Sequence, residues 1–461
     1  SQDSTWSLDD ARNSAIVYKP SEIANASGPS TSDPRSGEIL ESHINWYHNV
    51  MKLVRDWYMI QTAAVDPRAR RMEFSDGLMG DLIRFVSSHE VGHTLGLRHN
   101  FGSSSTVPVE NLRNKKWVEE NGHTPSIMDY ARFNYVAQPE DNISKKGLYP
   151  KIGDYDLWAI EWGYRLLPKG QTAEEEIAHL NKVTIEKLKN RRLWFGTESN
   201  PDDPNSQSED LGDNAIKASE YGIKNLQRIL PQLPNWTRSA NEDYEDLETI
   251  YGQLLTQFNR YMGHVSKNVG GIYETPKTVE QPGPVYERTP ASIQKQAMAF
   301  LDEQLFTTPV WLLNSGIIDN TGGNALQIIA RTQEPTLNRL ISSTTLNKLL
   351  AAEAMDGNKA YKITEFFADI NNSILKELKS SRAIDVYRRN LQKMYVDKLI
   401  TLTRPAPGNN MQTDVVSVAK AELRNINTLI TAALPNQSDS LSSYHLQDLS
   451  DRIKEALEPK R

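Results

Sequence analysis

Ser88-His89-Glu90-Val91-Gly92-His93-Thr94-Leu95-Gly96-Leu97-Arg98-His99 sets three histidines at intervals of four and six residues, with a glutamate after the first and a glycine midway between the last two. Histidines at i and i+4 project from one face of a helix, so two imidazoles can take two corners of a tetrahedral zinc site. Glu90 then lies beside the metal, where a bound water sits. Six residues beyond His93 a straight helix has turned by about 600°, or about 240° net, which puts position 99 on the far side. The chain therefore has to turn back. Gly96 supplies the turn, because glycine adopts positive φ without a Cβ clash, and His99 returns as the third ligand. Three neutral nitrogen ligands leave the fourth position open, which distinguishes a catalytic zinc site from a structural one. A bare HExxH arises by chance in roughly one chain of this length per hundred, and the added glycine and third histidine lower that to about one in 10⁵.

The motif HExxHxxGxxH resembles that of the metzincin clan of zinc endopeptidases, whose second hallmark is a methionine turn below the metal. Ser126-Ile127-Met128-Asp129-Tyr130 is similar to the S-I-M-x-Y version of that turn found in astacins and serralysins. The resemblance implies one catalytic Zn²⁺ on His89, His93 and His99, with Glu90 as the catalytic base. It assigns Met128 to the hydrophobic floor under the ligands, and Tyr130 to a switchable fifth ligand that stabilises the oxyanion. Gly153 to Tyr164 is similar to the helix that closes metzincin catalytic domains, and Glu38-Ile39-Leu40 to the edge strand along which those enzymes align a peptide. The overall look is most similar to a bacterial met-zincin family of zinc-dependent metalloproteases. The motifs cover residues 38 to about 164. Asn100 departs from the residues that the named subfamilies carry after the third histidine, so their specificity is not transferred. Only two strands are visible before the motif where metzincins have five, so either strands precede Ser1 in a precursor or the lobe is abbreviated.

Around this centre, Ala15–Tyr18 and Glu38–Ser42 read as strands flanking a turn-rich stretch from Asn25 to Gly37. Ile44, Tyr47, Val50, Met51, Val54, Trp57 and Tyr58 recur at helical spacing, which predicts a helix over His43–Ala64. The motif helix is expected to start near Asp81, capped by its carboxylate. Further helices are expected at Tyr155–Tyr164 and Ala173–Arg192. Downstream they are expected at Ile223–Leu230, Leu247–Met262, Leu337–Met355, Ile363–Leu378, Val386–Leu402 and Val415–Leu434. The apolar stripe of the helix from Ile363 reads as core. Residues 196–214, rich in Asn, Asp, Ser and Pro, miss the spacing of an EF-hand calcium loop and read as a solvated linker. The expected fold is α+β and predominantly helical. A metzincin-like zincin catalytic domain (1–165) leads through a helix and acidic linker (166–214) to an all-α accessory region (215–461).

The chain has 461 residues, 38% hydrophobic and 24% charged, ample for a buried core, and no stretch reaches the eighteen or so uncharged apolar residues of a membrane span. A net charge of −7, with no basic block, argues against nucleic acid as a partner. The absence of cysteine excludes disulfides, thiolate zinc sites and a cysteine nucleophile. The start at Ser1 without a leader pattern is expected of a piece of a longer, exported precursor. The other histidines, His123 among them although it lies near the methionine turn, are left out of the site.

These features imply a monomeric zinc endopeptidase acting on a peptide or protein substrate, basic or neutral in character given the acidic balance. The competing expectation is a silent or latent zinc-binding scaffold or interaction protein. A structural site, however, has no need of Glu90 at the open position.

Overall fold

Four short strands, β1 (Ala15–Lys19), β2 (Ala26–Ser27), β3 (Ser30–Ser32) and β4 (Ile39–Tyr47), form the N-terminal sheet. The structure is a computed structural model that describes residues 5–167, 172–198, 200–380, 382–404 and 413–458. β4 is central. β1 runs parallel to it with Ala15 opposite His43 and Lys19 opposite Tyr47, while β2 and β3 pair antiparallel with it. Two sequence expectations are corrected here. Residues 43–47 are strand rather than helix, because pairing with β1 overrides a spacing that Ile44 and Tyr47 share with the helix that follows. Glu38–Leu40 is not the edge on the cleft side, since Ile39 opens β4 and β3 pairs with it there; the edge that lines the cleft is β2–β3, a run of small residues with little strand signal of its own.

Helix α1 (Val50–Thr62) buries Val54, Tyr58 and Met59 and packs against α2 (Asp76–Thr94) and α6 (Ala215–Ile229). α2 carries the motif. Its cap lies six residues before the expected Asp81, because the Ser75 Oγ accepts the Leu78 N–H and caps the helix there. The Asp81 carboxylate instead pairs with Arg84 at 2.8 Å and Lys145 at 3.1 Å. A loop-rich region holds α3 (Lys115–Asn121), and α4 (Asp154–Tyr164) and α5 (Ala173–Lys187) follow close to their expected positions.

The acidic stretch 196–214 is not a solvated linker. Asp203, Ser206, Gln207, Glu209, Asp210 and Leu211 are buried, the Glu209 carboxylate pairs with Arg132 at 2.5 Å, and Asp213 accepts the Val109 N–H at 2.9 Å. Composition misleads because these carboxylates exchange water for specific donors, which a residue count does not reveal.

The chain divides into two compact units, one comprising residues up to Gln257 with Glu274–Val285, the other Phe258–Tyr273 with the remainder. These limits differ from the 165 and 214 boundaries read from the sequence, since 166–214 and α6 lie inside the first unit. After α7 (Leu233–Trp236) and α8 (Glu245–Ser266) come the second unit's α9 (Ala291–Leu301), α10 (Ser315–Thr321), α11 (Ala325–Leu340) and α12 (Ser343–Asp356). It continues through α13 (Ile363–Ile374), α14 (Val386–Leu402), α15 (Val415–Ala433) and α16 (Ser440–Leu457). The fold is α+β and predominantly helical, and among the described residues no helix is long and apolar enough to cross a membrane. The stripe Ile363, Phe366, Phe367, Ile370, Ile374 is core, as expected. The expected single helix over Leu337–Met355 is two, broken where the Ser342 Oγ accepts the Thr345 N–H at 3.1 Å and caps α12.

α14 packs against α11, α13, α15 and α16, and its Arg388 is buried. The guanidinium donates to the carbonyls of Phe306, Ser373 and Ile374 and to the Glu377 carboxylate. Arg388→Met keeps much of the stem but strands these acceptors. A loss of about 3–5 kcal/mol, as for other broken buried pairs, is expected in urea unfolding; an unchanged midpoint would show that the acceptors find water.

Candidate metal centre and catalytic cleft

The end of α2 makes the third ligand possible. Gly96 takes φ of +85°, its N–H donates to the His93 carbonyl at 2.9 Å, and the Leu97 N–H donates back to the Gly92 carbonyl at 3.1 Å. This left-handed helix stop satisfies the last carbonyls and reverses the chain towards His99. The Leu97 carbonyl then accepts from His93 Nδ1 at 2.9 Å, and the Ile127 carbonyl accepts from His89 Nδ1 at 2.8 Å. Carbonyl oxygens only accept, so both Nδ1 atoms carry protons and both Nε2 atoms present lone pairs. His99 Nδ1 contacts the Glu198 carboxylate. The Nε2 atoms of His93 and His99 lie 3.0 Å apart, and His89 Nε2 is buried without a partner. Lone pairs facing one another at this distance repel unless a cation lies between them. Among the described residues these histidines form a group whose ligand atoms all come within 4.8 Å, and it can hold a metal ion. Burial pushes the His89 pKa down to about 3 and lowers that of His93, which keeps both in the neutral form that ligation requires.

Glu90 is buried beside this group. Desolvation pushes its carboxyl up to about 7, and a hydrogen bond from the Gly28 backbone N–H pulls the other way. Gly28 belongs to the β2–β3 edge and presses on α2, since a Cβ there would lie 2.5 Å from the Glu90 carbonyl oxygen. The edge residues Asn25–Ser30 face Glu90, His93, Gly96–His99 and Tyr130 across a cleft of about 600 Å³. Next to it, Val50, Leu53, Trp57, Phe85 and Val86 line a pocket of about 60 Å³ that Glu90 and Tyr130 also border.

The methionine turn lies under α2. Met128 is fully buried, and a Cβ on Gly92 would come within 2.2 Å of its Sδ, so the glycine before His93 is what admits the sulfur. The Tyr130 ring packs edge-on against those of His89 and His99, with centroids 5.2 and 4.6 Å away. Asp156 of α4 holds the turn. Its Oδ1 accepts the Ser126 hydroxyl at 2.6 Å, and its Oδ2 accepts the N–H groups of Ile127 at 2.7 Å and Gly153 at 2.8 Å. The Asn100 N–H donates to the Met128 carbonyl at 3.0 Å.

The seven residues singled out in the sequence, His89, Glu90, His93, Gly96, His99, Met128 and Tyr130, are thus brought together. His123 is fully buried, with Nε2 bonded to the Arg132 carbonyl. Gly28, Asp156, Asn100 and Glu198 were not read as site residues. The Gly153-to-Asp156 spacing carries a helix-start signal that points to Asp156, whereas nothing local marks Gly28 or Glu198.

Asp129 is the other buried carboxyl of the turn. Its Oδ2 accepts the Ser104 N–H at 2.6 Å and the Thr124 hydroxyl at 2.8 Å, and burial pushes its pKa up to about 8. The folded protein then holds this proton between about pH 4 and pH 8 while the unfolded chain releases it, so this group makes stability fall as pH rises through that window. Asp129→Asn is expected to flatten that slope, read as the difference in thermal midpoint between pH 5 and pH 8. An equal slope in both proteins would mean that Asp129 is ionised in the fold.

A family model described as Met-zincin matches residues 71–382, about two thirds of the chain, running from just before the motif helix through α13. Searches of curated proteins and of solved structures found no match. Motif, methionine turn and the extent of this match agree, and the chain belongs to the Met-zincin family.

Proposed function

We propose that this protein is a zinc-dependent endopeptidase whose metal is held by Nε2 of His89, His93 and His99. The observation that carries the reading is the convergence of three Nε2 atoms beside a buried glutamate, in a cleft bordered by a sheet edge. Zn²⁺ held there would supply Lewis acidity and would lower the pKa of the attacking water towards about 7. Glu90 takes the proton of the attacking water as its oxygen adds to the scissile carbonyl carbon. It then passes that proton to the amide nitrogen as the C–N bond breaks. Its burial beside the ligand group supports this role, because a carboxyl shielded from bulk water can hold a proton and return it within the cleft. Tyr130, packed against two of the ligand rings, donates its hydroxyl to the developing oxyanion. The β2–β3 edge offers main-chain groups to an extended peptide, and the small apolar pocket beside Glu90 receives a side chain next to the scissile bond.

Cleavage of a mixed peptide library by the zinc-loaded chain, with zinc stoichiometry recorded, tests this reading. Glu90→Gln is expected to bind zinc like the parent and to lose about 10²–10⁴-fold in kcat/KM. Zinc bound by both with cleavage by neither would favour a latent or scaffold protein, and no zinc in either would sink the ligand assignment. Tyr130→Phe is expected to lower kcat by about 10²–10³-fold with KM little changed, as removal of one oxyanion donor does. A rise in KM alone would make Tyr130 a substrate-binding residue instead.

A further inference from the structure

His89 and His93 are oriented by main-chain carbonyls, which no substitution removes, but His99 is oriented by a side chain ninety-nine residues away, the carboxylate of Glu198. Its segment is locked against the residues that follow the third histidine. The Asn100 amide donates to the Trp194 carbonyl at 2.9 Å and accepts the Gly196 N–H at 2.9 Å, gripping that stretch with both atoms. Gly102 and Gly196 meet backbone to backbone: a Cβ on Gly102 would lie 2.7 Å from the Gly196 Cα, and one on Gly196 would lie 2.6 Å from the Gly102 Cα. From the other side the Ser206 hydroxyl donates to the Thr197 carbonyl at 2.7 Å. Glu198 is therefore delivered to His99 by a braced segment, while its own side chain stays 39% exposed.

We infer that Glu198 is a positioning residue of the metal centre. Its carboxylate accepts the Nδ1 proton of His99, which fixes the ring and leaves Nε2 as the ligand atom. A carboxylate is a stronger acceptor than a carbonyl, so it holds the ring at least as firmly as the main-chain carbonyls hold those of His89 and His93. Asn100, the departure from the named metzincin subfamilies, has its role here. It couples the residue next to the third ligand to the segment that orients that ligand. The inference rests on the zinc reading proposed above.

Zn²⁺ affinity of the full chain, measured by competition with a chromophoric chelator, tests it on the parent, Glu198→Ala, Glu198→Gln and His93→Ala, beside the thermal midpoint of each metal-free protein. Glu198→Ala is expected to bind Zn²⁺ about 10–100-fold more weakly, the usual cost of losing such a partner. Glu198→Gln, which keeps an acceptor oxygen, should lose less, and the metal-free midpoint should not move. Parent-like affinity in Glu198→Ala, with binding lost in His93→Ala, overturns the role of Glu198 and leaves the zinc reading standing. Weak binding by the parent itself overturns both. A lowered metal-free midpoint in Glu198→Ala overturns positioning in favour of a purely structural contact.

Discussion

Three imidazole lone pairs facing one another are a repulsive arrangement, and the architecture of the first unit is organised around sustaining it. Each ring has to be held by its Nδ1 proton, and each acceptor comes from a different part of the chain: Ile127 in the methionine turn, Leu97 in the reversal after α2, and Glu198 in the acidic segment. None of these acceptors is free to wander. Ile127 is fixed by Asp156 through its own N–H, Leu97 by the left-handed stop at Gly96, and Glu198 by the grip of Asn100 on residues 194–196. A ligand set is thus only as well defined as the backbone that orients its outer nitrogens.

Close packing at glycine is the second recurring device. At Gly28 the sheet edge reaches α2, at Gly92 the helix admits Met128, and at Gly102 and Gly196 two loops meet main chain to main chain. In each case a Cβ would sit closer than van der Waals contact allows. These glycines set how near the cleft walls, the floor under the ligands and the orienting segment can come.

The same region concentrates buried polar groups. Glu90, Asp129 and Asp156 all have pKa values raised by desolvation, and His89 and His93 have theirs lowered. Burial therefore drives acids and imidazoles alike towards their neutral forms. That suits neutral ligands, and it makes the centre costly to assemble unless every donor and acceptor is matched.

The sequence by itself determined the local features. The four-residue histidine spacing, the Gly96 reversal, the methionine turn and most of the second unit's helices depend on periodicity and on the conformational freedom of single residues, which act within a few positions along the chain. Only the tertiary structure decided the rest. β2 and β3 hold a single β-branched residue, Thr31, and become an edge because β4 pairs with them. Residues 43–47 become strand because β1 lies alongside. Residues 196–214 look solvated until Arg132 supplies the partner that buries Glu209 and the Val109 N–H ties down Asp213. Glu198 carries no local mark because its meaning lies in a proton ninety-nine residues away. Such contacts depend on where the chain returns to itself, and short-range spacing holds no record of that return.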